Sequence, residues 1–98
     1  MMYRFDAELW EWEAKASWFF ISVPHEVADE IEERFGRVAG GFGSVRVEVT
    51  VGASTWRTSI FPSKVEATYV LPIKKAVRVA ERLEPGSNVA TVLTVIIE

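Results

Sequence analysis

Hydrophobic and polar residues alternate from the start of the chain. Over residues 3–12, Phe5, Ala7 and Leu9 are interleaved with Arg4, Asp6 and Glu8, the period-two signature of a half-buried strand. Residues 13–15 read as a polar turn, and residues 16–23 (ASWFFISV) are apolar on both faces, as a central strand is. Pro24 ends that strand and suits the first turn of a helix. Val27, Ala28, Ile31 and Phe35 then form a helical stripe over residues 25–35, opposite Glu26, Asp29, Glu30, Glu32 and Glu33. Gly36 and the run Gly40-Gly41-Phe42-Gly43 predict a loop. Val45, Val47, Val49 and Val51 alternate with Arg46, Glu48 and Thr50 in a further strand.

The second half repeats this order. Residues 55–61 read as a strand, 62–64 as a turn and 65–71 as another strand. Pro72 opens a helix with Ile73, Ala76, Val77, Ala80 and Leu83 on one face, residues 85–88 turn, and residues 89–97 form the last strand. Val23-Pro24 thereby corresponds to Leu71-Pro72, and residues 16–23 should superpose on 65–71. The predicted fold class is α+β, mainly β: a small six- to seven-stranded β-barrel made from two pseudo-symmetric β-β-α-β units, residues 3–51 and 54–97, with two helices in one domain spanning 1–98. Pairing two such units closes sheet edges that either alone would expose. An α+β sandwich with coincidental repetition is the alternative.

Composition narrows the classes. The 98 residues suffice for one core, and a 49% hydrophobic content argues against disorder. With no Cys there is no disulfide framework, thiolate nucleophile or zinc-thiolate site. No cofactor is indicated. The N-terminal residues do not read as a signal peptide and no apolar run approaches a bilayer span, so a cytoplasmic protein without a membrane partner is expected. A formal net charge of −3 argues against general nucleic-acid binding.

Several residues could carry chemistry. His25 is the single histidine, and nothing in the sequence brings it beside a nucleophile such as Ser59; no catalytic residue is assigned. The acidic helix face has helical spacing but no second ligand source, so it reads as solvated and no metal site is assigned. The glycine-rich loop precedes a strand, whereas a phosphate loop needs a helix after it. Trp10 and Trp12 share parity with Arg4, Asp6 and Glu8, so they are either covered by a helix or exposed to bind something. In the second helix, Lys74, Lys75, Arg78 and Arg82 line the polar side, with Lys74 and Lys75 in the first turn where the macrodipole disfavours cations. A bound anion would reverse that cost. The candidate ligand-binding set is Arg46, Arg57, Ser59, Tyr69, Lys74, Lys75 and Arg78.

Val45-Arg46-Val47, Trp56-Arg57-Thr58-Ser59-Ile60-Phe61-Pro62 and Tyr69-Val70-Leu71-Pro72-Ile73-Lys74-Lys75-Ala76-Val77-Arg78 resemble a bacterial domain-of-unknown-function family, number 1905. The resemblance runs from about residue 5 to about residue 95 and implies a double-split β-barrel. The stretch 64–68 has no Gly where that family commonly has one, and Ser87 stands where it often has Asp. The resemblance implies no catalytic residues.

The leading functional expectation is a non-catalytic module for a small anionic ligand or a partner, with the anion at the start of the second helix. One alternative is an enzyme acting on a small anionic substrate, with Arg57 and Lys74 as electrophilic groups. Another is a nucleic-acid-binding domain of swapped-barrel type. Apolar residues on both faces of 89–97 suggest a homodimer.

Overall fold

A computed structural model describes residues 1–14, 17–36 and 43–97. The elements in chain order are β1 (Met2–Glu8), β2 (Trp10–Glu11), β3 (Phe19–Ser22), α1 (His25–Phe35), β4 (Val45–Val51), β5 (Ser54–Ser63), β6 (Thr68–Pro72), α2 (Lys75–Ala80) and β7 (Asn88–Val95). The seven strands form one sheet in the order β1-β7-β4-β5-β6-β3-β2, with every neighbouring pair antiparallel. The sheet is curled into a half-barrel. Its two outermost strands are successive in the chain and joined through Leu9 alone. Leu9 is fully buried, and its backbone bonds to the turn before β7: its N–H donates to Ser87 O at 2.9 Å and its carbonyl accepts from Gly86 N–H at 2.8 Å.

The alternating patterns fold as the sequence predicts. Val45, Val47, Val49 and Val51 of β4 point into the core, as do Val89, Leu93 and Val95 of β7. α1 matches its predicted span, and Ala28, Ile31 and Phe35 seat it against the same core as Ile21, Val23 and Leu71. Pro24 is its N-cap residue rather than a member of its first turn. The loop over residues 37–42, with Gly40, Gly41 and Phe42, and residues 15–16 lie outside the described residues.

The second half departs from expectation in three places. β5 runs on through Pro62 and Ser63, so the turn falls at residues 64–67, and Val65, expected in a strand, is 92% exposed. Proline is tolerated near a strand end where no ladder N–H is required. Ala67 accepts a positive φ of 56° to close this turn, and β6 begins only at Thr68. Pro72 does not start a helix; it is the last residue of β6, opposite Phe20. α2 therefore begins at Lys75, three residues beyond Pro72, with Lys74 as N-cap, and is six residues long. Within it only Val77 is buried, while Ala76 and Ala80 are exposed. Arg82, expected on the helix's polar side, lies beyond its end at φ 54°.

The outward face of the first four strands in the sheet order is polar. Arg46 stands opposite Ser59, Glu48 opposite Arg57, and Thr50 opposite Thr55 with their hydroxyls 2.9 Å apart. Val92 of β7, half-buried, lies between Arg4 and Thr50. The outward face at the other end of the order is aromatic. No helix among the described residues is long and apolar enough to cross a membrane.

Candidate ligand groove

β5 has ten residues, but β6 pairs only with its last three, Phe61, Pro62 and Ser63. β4 holds the opposite edge from Ser54 to Ile60, so over that stretch the β5 edge away from β4 has no strand partner among the described residues. Beyond it, β6 stops at Pro72 and the chain turns into α2. The gap is a groove of about 450 Å³. Trp56, Arg57 and Thr58 of β5 form one wall, and Pro72, Ile73, Lys74, Lys75 and Arg78 form another. Ser17, Trp18 and Phe19 close the remaining side.

Arg78 is the best-positioned cation of the groove. Its Nε donates to Ile73 O at 3.1 Å, and its guanidinium carbon sits 3.8 Å over the centre of the Phe19 ring. A cation on an aromatic face gains electrostatically, and the fork is oriented before any ligand arrives. Lys74 and Lys75 are exposed at the helix entry, with no acidic residue in that turn. Arg57 is held more loosely, its Nε 3.4 Å from Glu48 Oε1 in an exposed pair. Among the described residues no carboxylate lines the groove. Its described lining carries four basic side chains, three large aromatic ones, and Ser17 and Thr58 as hydroxyls. Anion binding and stacking of an apolar body are within its chemistry.

Four of the seven residues expected at a ligand site, Arg57, Lys74, Lys75 and Arg78, are thus brought together. Three are not. Arg46 and Ser59 face each other across β4 and β5 on the outward side and do not line the groove. Tyr69 faces α1 instead, in a hollow of about 190 Å³ beside Asp29 and Glu32, where burial first and the Glu32 charge second raise its phenol pKa. His25 is the exposed first residue of α1. On the acidic face Glu30 pairs with Arg34 at 3.8 Å, and no group of three metal-binding side chains occurs among the described residues. The sequence reading missed Trp18, Phe19 and Trp56. Strand parity sorts residues into two faces; it does not reveal that one strand edge stands open.

The sequence of residues 5–93 matches the family described as Domain of unknown function (DUF1905). The chain belongs to this family. No curated protein matches the chain. The stretches by which it resembles DUF1905 supply two walls of the groove: Trp56-Arg57-Thr58 on one side and Pro72-Ile73-Lys74-Lys75 with Arg78 on the other. The DUF1905 assignment itself carries no activity, so the functional reading rests on the groove.

Proposed function

We propose that this chain is a non-catalytic binding module that takes a small anionic ligand with an apolar body into the groove beside α2. The observation that carries the reading is charge and shape together: four cations and three aromatics from separate parts of the chain line one groove with no acid among its described lining residues, Arg57 being shared with Glu48 on the outward face. The ligand's anionic group would lie between Lys74 and the forked Arg78, and its body against Trp18 and Trp56. Arg-carboxylate and Arg-phosphate pairs gain from bidentate geometry, which the anchored guanidinium favours. The absence of a general base among the groove's described lining residues weighs against the enzyme reading.

The test is thermal unfolding of the wild type and of Lys74→Ala with Arg78→Ala, across a panel of aromatic carboxylates and phosphates at constant ionic strength. A filled site stabilises the fold by about 2.7 kcal/mol at a hundredfold excess over Kd. We expect a Tm rise in the wild type that the double variant loses. Equal responses in both proteins would leave these cations as an ordinary solvated surface.

Two finer structural readings belong with this proposal. The first is that the halves are exchanged copies of one unit. Swapping β1 and β2 for β5, β3 for β6 and β4 for β7 maps each strand pair onto another pair. The bonds Val23 N–H to Tyr69 O and Ile73 N–H to Phe19 O, both 2.9 Å, are reciprocal. They match Pro24 with Lys74, not with Pro72, so the copies would align two residues away from the proline correspondence. The second is a homodimer formed on β7; light scattering showing only an 11.0 kDa species at high concentration would exclude it.

A further inference from the structure

A second pocket, on the outward face of β2, β3 and β6, has the opposite chemistry. It encloses about 270 Å³, just below the size that holds a drug-sized ligand, roughly 300–1,000 Å³. Trp10, Trp12 and Phe20 form its aromatic side, and Val65, Glu66 and Val70 face them. Trp10 lies tilted on Phe20, with centroids 5.2 Å apart and 32° between planes, while Trp12 stands edge-on to Phe20 at 6.4 Å and 73°. Trp10, Trp12 and Phe20 make a corner, and Trp18 stacks on Phe20 with centroids 6.1 Å apart and 23° between planes. Trp12 remains 44% exposed, a poor location for an indole that only fills space.

The carboxylate in this corner is fixed to the aromatic wall. Trp10 Nε1 donates to Ser22 Oγ at 3.0 Å, and Ser22 Oγ donates to Glu66 Oε1 at 3.2 Å. The Glu66 backbone N–H is held by Ser63 Oγ at 3.2 Å. Glu66 is half-buried, yet no basic side chain pairs with it among the described residues; both ion pairs there lie elsewhere. A half-buried carboxylate with no ion-pair partner among the described residues, lining one pocket with Trp10, Trp12 and Phe20, favours a positive charge with an apolar coat.

We infer that this pocket binds a small quaternary ammonium cation, with its methyl groups against Trp10 and Trp12 and its charge facing Glu66. A hydrated primary ammonium would lose more water on entry than the rings return, whereas a methylated one presents apolar surface and a diffuse charge. The site shares no lining residue with the anion groove, although Trp18 of the groove stacks on Phe20 at 6.1 Å, and the inference does not need the anion reading.

The experiment is an NMR titration of the tryptophan indole N–H signals, assigned with single Trp→Phe variants. The probes are choline and its neutral carbon isostere, 3,3-dimethyl-1-butanol. Choline should shift the Trp10 and Trp12 signals saturably and bind about tenfold more tightly than the isostere. Glu66→Gln, which keeps the Ser22 bond, and Trp12→Ala, at an exposed position, should each weaken choline about five- to tenfold. Equal affinity for choline and the isostere would overturn the proposal, because the pocket would then be reading apolar shape alone. So would absent choline shifts in the tens-of-millimolar range. Shifts of the same indoles on diluting the ligand-free protein would overturn it too, because a second copy would then occupy the corner.

Discussion

At the scale of single residues, Tyr3 is the side chain most at odds with its surroundings. It is 8% exposed, and its hydroxyl has no hydrogen-bond partner among the described residues. Glu30 lies close enough to raise the phenol both as a loose hydrogen-bond acceptor and by its charge, although no bond of good geometry forms. Burial chiefly, and Glu30 next, push the phenol up to about 12, with Arg34 pulling weakly the other way. The sign of the consequence is fixed. The unfolded chain gives up this proton near pH 10 while the folded chain keeps it, so the stability is complete below about pH 10 and is lost as pH rises towards 12. The slope in that window is at most about 1.4 kcal/mol per pH unit. Tyr3→Phe should therefore flatten the alkaline loss, leaving the part due to Tyr69. It should also stabilise the protein by about 1 kcal/mol near neutrality, since an unsatisfied buried hydroxyl is removed. Urea midpoints at about pH 8 and about pH 11 would measure both effects; a variant less stable than wild type at both would mean the hydroxyl has a partner after all.

At the scale of elements, α2 sets the position of the groove cations, and its end is built from an unexpected residue. Leu83 N–H reaches back to Arg78 O at 2.8 Å, and Arg82 N–H to Val79 O at 3.3 Å, with Arg82 at φ 54°. This is a Schellman cap whose left-handed position usually belongs to glycine. A side chain there costs about 1–2 kcal/mol in a left-handed backbone. Arg82→Gly should raise stability by about 0.5–1 kcal/mol after the entropy of glycine is set against that gain, with the urea slope unchanged. Destabilisation would mean that the Arg82 side chain holds something the cap does not require. The same helix shows why some elements were legible and others were not. α1 and β4 carry their periods on continuous faces, so residues alone define them. Ile73 and Leu83 look like one stripe with Val77, but they belong to the flanks of a helix that Arg82 cuts short. Pro62-Ser63 looks like a turn because proline usually breaks strands, yet β5 needs no ladder bond there. The cations of the groove could be read from sequence; the tryptophans could not, because their meeting depends on β6 pairing with only the end of β5.

At the scale of the whole molecule, the distribution of charge decides which anions the proposed site would accept. Four of the eleven Lys and Arg residues line it, leaving seven against fourteen Asp and Glu elsewhere. On the proposed reading a small anion would end within the groove and meet chiefly its cations. A long polyanion must leave it and cross a surface where acids outnumber bases two to one. Phosphate-backbone affinity comes from neutralising many successive charges, and this surface neutralises few. We expect small-anion affinity to fall several-fold between low salt and about 0.15 M, as screening acts on partly exposed cations. We expect single- and double-stranded DNA to pass a column of the immobilised protein unretained at about 0.15 M salt. Retention of single-stranded oligonucleotides, with affinity falling steeply in log[salt], would reverse the reading. Trp18 and Trp56 would then be stacking platforms for bases and Arg78 a phosphate contact, a combination typical of single-strand grooves. The two outcomes are separated by length dependence. A small-anion site saturates with one monomeric ligand, and extending the ligand should weaken binding as the added phosphates meet the acidic surface.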